Sequence, residues 1–199
     1  MSLMARVPFT LLFLLAMTLA NWASGTLEGT LPPTALTQWG ISHRAVLDGD
    51  VARLVTGTFL SHDSAMFVRQ YLFVAAVIGY FEWHTSSVRA ALIFFSVDIL
   101  GTLIVLLGVV PLVASLPELG HPAARSTLDV GMSAGGFGVI GATLGGWPYR
   151  WLLLAGVLTA IGVKVGISFH VIADSAHLVC LLLGFAAALV FPWRRKAAD

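Results

Sequence analysis

Six long apolar stretches, separated by short polar links, dictate what this chain can become. They cover residues 7–24, 65–83, 89–116, 130–147, 150–169 and 174–193. A spanning helix needs about 20 mostly apolar residues. In lipid every backbone amide must also find its partner inside the protein, which favours helices. The sequence therefore predicts an all-α polytopic membrane protein, a single domain over residues 1–199 with six transmembrane helices in the lipid bilayer.

The stretches are not equivalent. The third is the longest and is expected to tilt, or to end early at Pro111. The fourth is rich in glycine and only marginally hydrophobic, which predicts protein rather than lipid around it. The first also reads as a signal peptide, with Arg6 ahead of the apolar run and small residues over 20–25 after it; cleavage there would leave five spans.

Composition closes off the other classes. Residues AVILMFWYC make up 58% of the chain and charged residues only 11%, against about 25% charged in soluble domains. Mean hydropathy is +0.91. A soluble enzyme or a disordered chain is excluded. A net charge of +1 offers no field for nucleic acid. The one cysteine, Cys180, excludes a disulfide framework. No HxxxH or HxxE spacing points to a metal, and no cofactor is expected.

Basic residues collect on the cytoplasmic side of a membrane. With the N-terminus inside, Arg6, Arg89, Arg150, Arg194, Arg195 and Lys196 lie inside, and only Arg44, Arg53 and Arg125 outside. Both termini are then cytoplasmic, with Trp193 and the basic residues after it as the inner anchor.

This orientation brings scattered polar residues to one depth. Gln70, Ser133 and His177 each fall a few residues inside the outer end of the second, fourth and sixth spans. Arg69, Asp129, Lys164 and Asp174 belong to the same layer. Intramembrane polar groups mark pathways or active sites, and a layer open to one face suits chemistry there better than conduction. Gly131, Gly135, Gly138, Ala142 and Gly145 form a small-residue stripe, with a partner stripe at Ala176, Cys180 and Gly184. Such stripes let helices approach closely. Close packing would bring the Ser133 hydroxyl to the His177 imidazole, the minimum for an activated nucleophile.

These residues resemble a known family. The segment Gly131-Met132-Ser133-Ala134-Gly135-Gly136-Phe137-Gly138 resembles the rhomboid GxSGxxFG segment, and the run from Ala176-His177 to Gly184 resembles AHxxGxxxG. Arg53, Thr56, Phe59, Gly79 and Glu82 follow the order of the rhomboid first loop and second helix. The stretch Asp129-Val130-Gly131-Met132-Ser133 is similar to the DVGxS of divergent actinobacterial-type members. The resemblance implies a six-helix rhomboid-like bundle in a bacterial inner membrane. It implies a cofactor-free Ser133–His177 dyad cleaving transmembrane protein substrates near the outer face.

Departures from the pattern are specific. The Trp-Arg pair of the first loop is Ala52-Arg53 here, and the glycine after the serine is Ala134. The two family histidines of the second helix fall on Ser61 and Met66, and the family asparagine falls on Gln70. Gln70 and Gly131 are therefore the candidates for holding the oxyanion and substrate. His62 joins them only if the loop shifts by one residue. The alternative reading is a catalytically inactive rhomboid-like protein that binds client membrane helices.

The remaining polar residues have plainer expectations. Asp129 and Asp174 suit helix caps, and Asp174 also lies three residues before His177, where it could orient the ring. Lys164 is expected to snorkel outward, Arg69 to form an ion pair with Asp129 or a substrate carboxylate, and Asp98 to hydrogen-bond a neighbouring helix.

Overall fold

The computed structural model describes residues 6–116 and 122–192; the basic residues Arg194, Arg195 and Lys196, and Trp193, lie outside the described residues. Among those described the chain is all helical, with no strand and two isolated bridges, Thr30 to Asp63 and Ile41 to Asp129. The principal helices are α1 (Pro8–Ala23), α2 (Ser64–His84), α3 (Ser87–Ala114), α4 (Ser133–Gly145), α5 (Arg150–Ile167) and α6 (Val171–Val190). Four of them, α2, α3, α5 and α6, are long and apolar enough to cross a membrane. The apolar α1 has 16 residues and α4 has 13.

Helix starts follow from local chemistry. Asp63 caps α2 by accepting from Met66 N, and Ser86 caps α3 by accepting from Arg89 N. Glu82 does the same work from a distance. Its buried carboxylate accepts from Phe9 N, Thr10 N and Thr10 Oγ1, all at 2.6–2.8 Å, and so satisfies the first amides of α1. An aromatic cluster then zips α1 to α3, with Phe13 and Phe94 edge to face at 4.8 Å.

Helix α3 runs through Pro111 instead of ending there. A π turn at Val105–Val109 precedes the proline, and Val110 N bonds Val105 O within it. The next bond in that pattern would come from residue 111, which has no N–H. Leu106 O is left over, and His43 Nδ1, in the segment between α1 and α2, donates to it at 2.6 Å. A second π turn, Val74–Ile78, lies in α2.

Helix α4 is the hub. It packs against α3, α5, α6 and the π turn of α2, and most of its residues are buried. Glycine makes this possible. A Cβ on Gly184 would strike Gly138 O, and one on Gly141 would strike Leu181 O, so the α4 and α6 backbones touch. By contrast α5 buries only Leu154, and Gly156, Gly162 and Gly166 face open space. The segment between α1 and α2 is organised by Arg53, which donates to Asp50, Thr37 O and Gly40 O.

Candidate active site

The site forms where the segment before α4 stops being extended. Ile41 and Asp129 exchange backbone hydrogen bonds, and Gly131 N donates to Gly57 O at 2.9 Å. Gly131 then adopts φ +126°, a region open to glycine. This turn ends the extended stretch, so α4 begins at Ser133 and not at residue 130.

Ser133 Oγ lies 2.8 Å from His177 Nε2. The two residues are 44 positions apart, and they meet because α4 and α6 run in backbone contact below them. In the tautomer that carries its proton on Nδ1, Nε2 accepts from the hydroxyl, as a general base requires. Phe137, one turn below Ser133, stacks on the imidazole at 4.3 Å and 21° and fixes the plane of the ring. Both Ser133 and His177 are half-buried.

Gln70 lies against Gly131, two residues before Ser133. Gln70 as a residue is 5% exposed. Oε1 accepts from Ser61 Oγ at 2.7 Å, while Nε2 is buried without a hydrogen-bond partner. That nitrogen lies against Gly131, and a Cβ there would come within 2.5 Å of it. Met66 Cε fills the adjoining space, 2.9 Å from the same point. An amide donor with no acceptor therefore sits two residues ahead of the serine.

His62 is placed otherwise. Its Nε2 donates to Asp129 Oδ1 at 3.3 Å. The hydrogen bond and charge of Asp129 raise the His62 imidazole above its ordinary range, against an opposing effect of burial. Together with Met66, Leu128, Phe169 and Ile172 these residues line a groove of about 700 Å³ that opens over Ser133. A smaller cavity of about 30 Å³, lined by Thr58, Asp98, Ser133 and His177 among others, lies at the same place.

Several expectations need correction. Asp174 does not orient His177: its carboxylate accepts from Lys164 Nζ at 2.6 and 2.8 Å and from His170 N at 2.7 Å. It does satisfy an amide at the start of α6, by reaching back to the residue before the helix. Lys164 accordingly turns to this carboxylate and to His170 Nδ1. Asp129 caps nothing in α4, which starts four residues later; it accepts from His62 and Val130 N. Arg69 is exposed and has no ion-pair partner among the described residues. Asp98 does bond a neighbouring helix, accepting from Gly135 N at 2.8 Å.

Other contributors were not singled out from the sequence. Asn21 at the end of α1 accepts from Ser61 N and donates to Phe59 O, which holds the loop that carries Ser61. Thr58 bonds Asp98 at 2.9 Å. A polar Asn near the C-terminal end of an apolar helix was the available signal for the first. Among the described residues no group of three or more His, Cys, Asp or Glu side chains converges as metal ligands would. No protein-family model matches this chain, and no curated protein sequence matches it either.

Proposed function

We propose that this chain is a rhomboid-type intramembrane serine endopeptidase, a six-span bundle with both termini cytoplasmic and the short α4 at its centre. The observation that carries the reading is the 2.8 Å bond between Ser133 Oγ and His177 Nε2, within the 2.6–3.2 Å reach a general base needs. At about 1.5 Å per residue, α4 is about 20 Å long, well short of the roughly 30 Å hydrocarbon core. Its serine then sits below the outer boundary, where a substrate helix must unwind to offer a carbonyl.

The chemistry follows from the atoms present. His177 Nε2 takes the Ser133 hydroxyl proton as Oγ attacks the scissile carbonyl. The developing oxyanion is met by the Ser133 backbone amide and by Gln70 Nε2, the donor that has no other acceptor. His177 then gives its proton to the leaving amine, and an acyl group remains on Ser133. Water, deprotonated by the same nitrogen, releases the second product and restores the serine. Substrates are transmembrane segments with helix-breaking residues near the outer face, entering through the groove over Ser133.

One observation favours a second reading, a non-catalytic binder of membrane helices: the Met66 methyl packs against Gly131 where a polar side chain would serve an oxyanion better. A panel of single-span reporters in proteoliposomes, with Gly or Pro at successive depths, separates the two. Cleavage near the outer boundary, lost in both Ser133→Ala and His177→Ala, is expected. Reporters that bind wild type uncut would favour the binder. Cleavage that survives Ser133→Ala would move the nucleophile elsewhere.

A further inference from the structure

A proton count singles out Asp98. The residue is 3% exposed in the middle of α3. Oδ1 accepts from Gly135 N, the third residue of α4, at 2.8 Å. Oδ2 lies 2.9 Å from Thr58 Oγ1, and Thr58 Oγ1 lies 2.9 Å from Leu54 O. Three oxygens thus stand in a row with two contacts at hydrogen-bond distance. A separate two-centre hydrogen bond at each contact needs two hydrogens, and the threonine hydroxyl has one. Leu54 O is a carbonyl and brings none. The second hydrogen belongs on Asp98. Among the described residues no basic side chain pairs with this carboxyl group, so no ion pair competes with that assignment.

We infer that Asp98 is held as a neutral carboxylic acid whose O–H donates to Thr58 and whose carbonyl oxygen grips the first turn of α4, making it the positioning residue for Ser133. Thr58 in turn donates to Leu54 O. The acid so links three parts of the chain: the segment between α1 and α2, α3, and the helix end that presents the nucleophile. Gly135 is two residues from Ser133, and a Cβ on Gly135 would strike Phe94 and Asp98 itself, so α4 has no slack at this point. Asp98 also borders the small cavity that Ser133 and His177 line. It touches neither the reacting atoms nor the substrate; it acts through the placement of the α4 start. The protonation state stands on the hydrogen count alone, whereas the effect on Ser133 reactivity rests on the proteolytic reading above.

Asparagine reproduces this neutral arrangement, with Oδ1 as acceptor and Nδ2 as donor to Thr58. Alanine and leucine reproduce neither half. The experiment compares wild type, Asp98→Asn, Asp98→Leu and Thr58→Val in detergent, with two readouts. The first is the infrared difference spectrum of wild type minus Asp98→Asn in H2O and D2O. A carboxylic C=O stretch that shifts on deuteration is expected; carboxylate bands alone would overturn the proposal, whether or not the protein is a protease. The second is the rate of fluorophosphonate labelling. A misplacement on the order of 1 Å can cost about a hundredfold, and Asp98→Leu is expected to slow labelling by about that factor, with Thr58→Val between. Asp98→Asn is expected to restore the rate to within about threefold of wild type. An asparagine variant as slow as the leucine variant, while folded by its thermal transition, would overturn the positioning role. Absence of labelling in wild type, with the C=O band present, would fault the proteolytic reading and leave the neutral acid standing.

Discussion

Ser61 Oγ donates to Gln70 Oε1 at 2.7 Å, and the other end of the Gln70 amide faces Gly131. With the oxygen held by serine, the nitrogen is left pointing to the turn before Ser133, buried and unpartnered. Buried polar groups without partners are uncommon and ask for a reason. The oxyanion of the proposed reaction would supply one. Asn21 holds the arrangement from behind, through Ser61 N and Phe59 O.

Gln70→Ala is therefore expected to lower the fluorophosphonate labelling rate by about 10²-fold, the usual loss for one oxyanion donor. Ser61→Ala, which frees the amide to flip, is expected to give a smaller loss of about tenfold, equivalent to about 1.4 kcal/mol. The thermal transition in detergent should remain cooperative in both. A Gln70→Ala rate close to wild type would remove this side chain from the site.

Helix packing gives a prediction independent of chemistry. At Gly184 and Gly141 an added Cβ meets backbone carbonyls, Gly138 O and Leu181 O, that cannot step aside. Either alanine substitution is expected to destabilise the protein by about 3 kcal/mol or more. Gly156→Ala and Gly162→Ala on α5 meet nothing within 4 Å. They are expected to be neutral or to stabilise by up to about 1 kcal/mol through helix propensity. Thermal unfolding of the four variants in one detergent is the check, and equal effects on both helices would contradict the packing described.

The His62–Asp129 pair carries a pH signature. Its folded-state pKa is raised, chiefly by the hydrogen bond to Asp129. The pair's contribution is thus complete below the ordinary imidazole value of about 6.5 and is lost as pH rises through the raised folded value. His62 is 40% exposed in its side chain, so the contribution stays within the range of about 0–1 kcal/mol found for solvated pairs. An NMR titration of His62 should show a midpoint above the ordinary value that falls in Asp129→Asn. A midpoint unmoved by that substitution would contradict the pairing.

The sequence carried the helices and the pair Ser133 and His177, because apolar runs and small-residue spacing are local patterns. It carried less of the geometry around them. The stripe residues Gly138 and Gly184 do meet, and Gly145 lies against Ala188, but a further tight approach uses Gly141, which lies outside the chosen stripe. The fourth apolar stretch, residues 130–147, shortens to Ser133–Gly145 because Gly131 leaves the helical region and its amide goes to Gly57. Pro111 does not end α3, because a π turn and His43 absorb the missing bond. The partners of Asp174, Asp129 and Asp98 depend on which helices become neighbours, and no periodicity within one helix encodes that.

The central claim is that Ser133 is a nucleophile activated by His177. The most direct measurement is mass-spectrometric mapping of the adduct after a fluorophosphonate reacts with the folded protein in detergent. The account predicts an adduct on Ser133 in wild type, absent from Ser133→Ala and from His177→Ala. An adduct on another residue, or labelling of equal extent in His177→Ala, would contradict it.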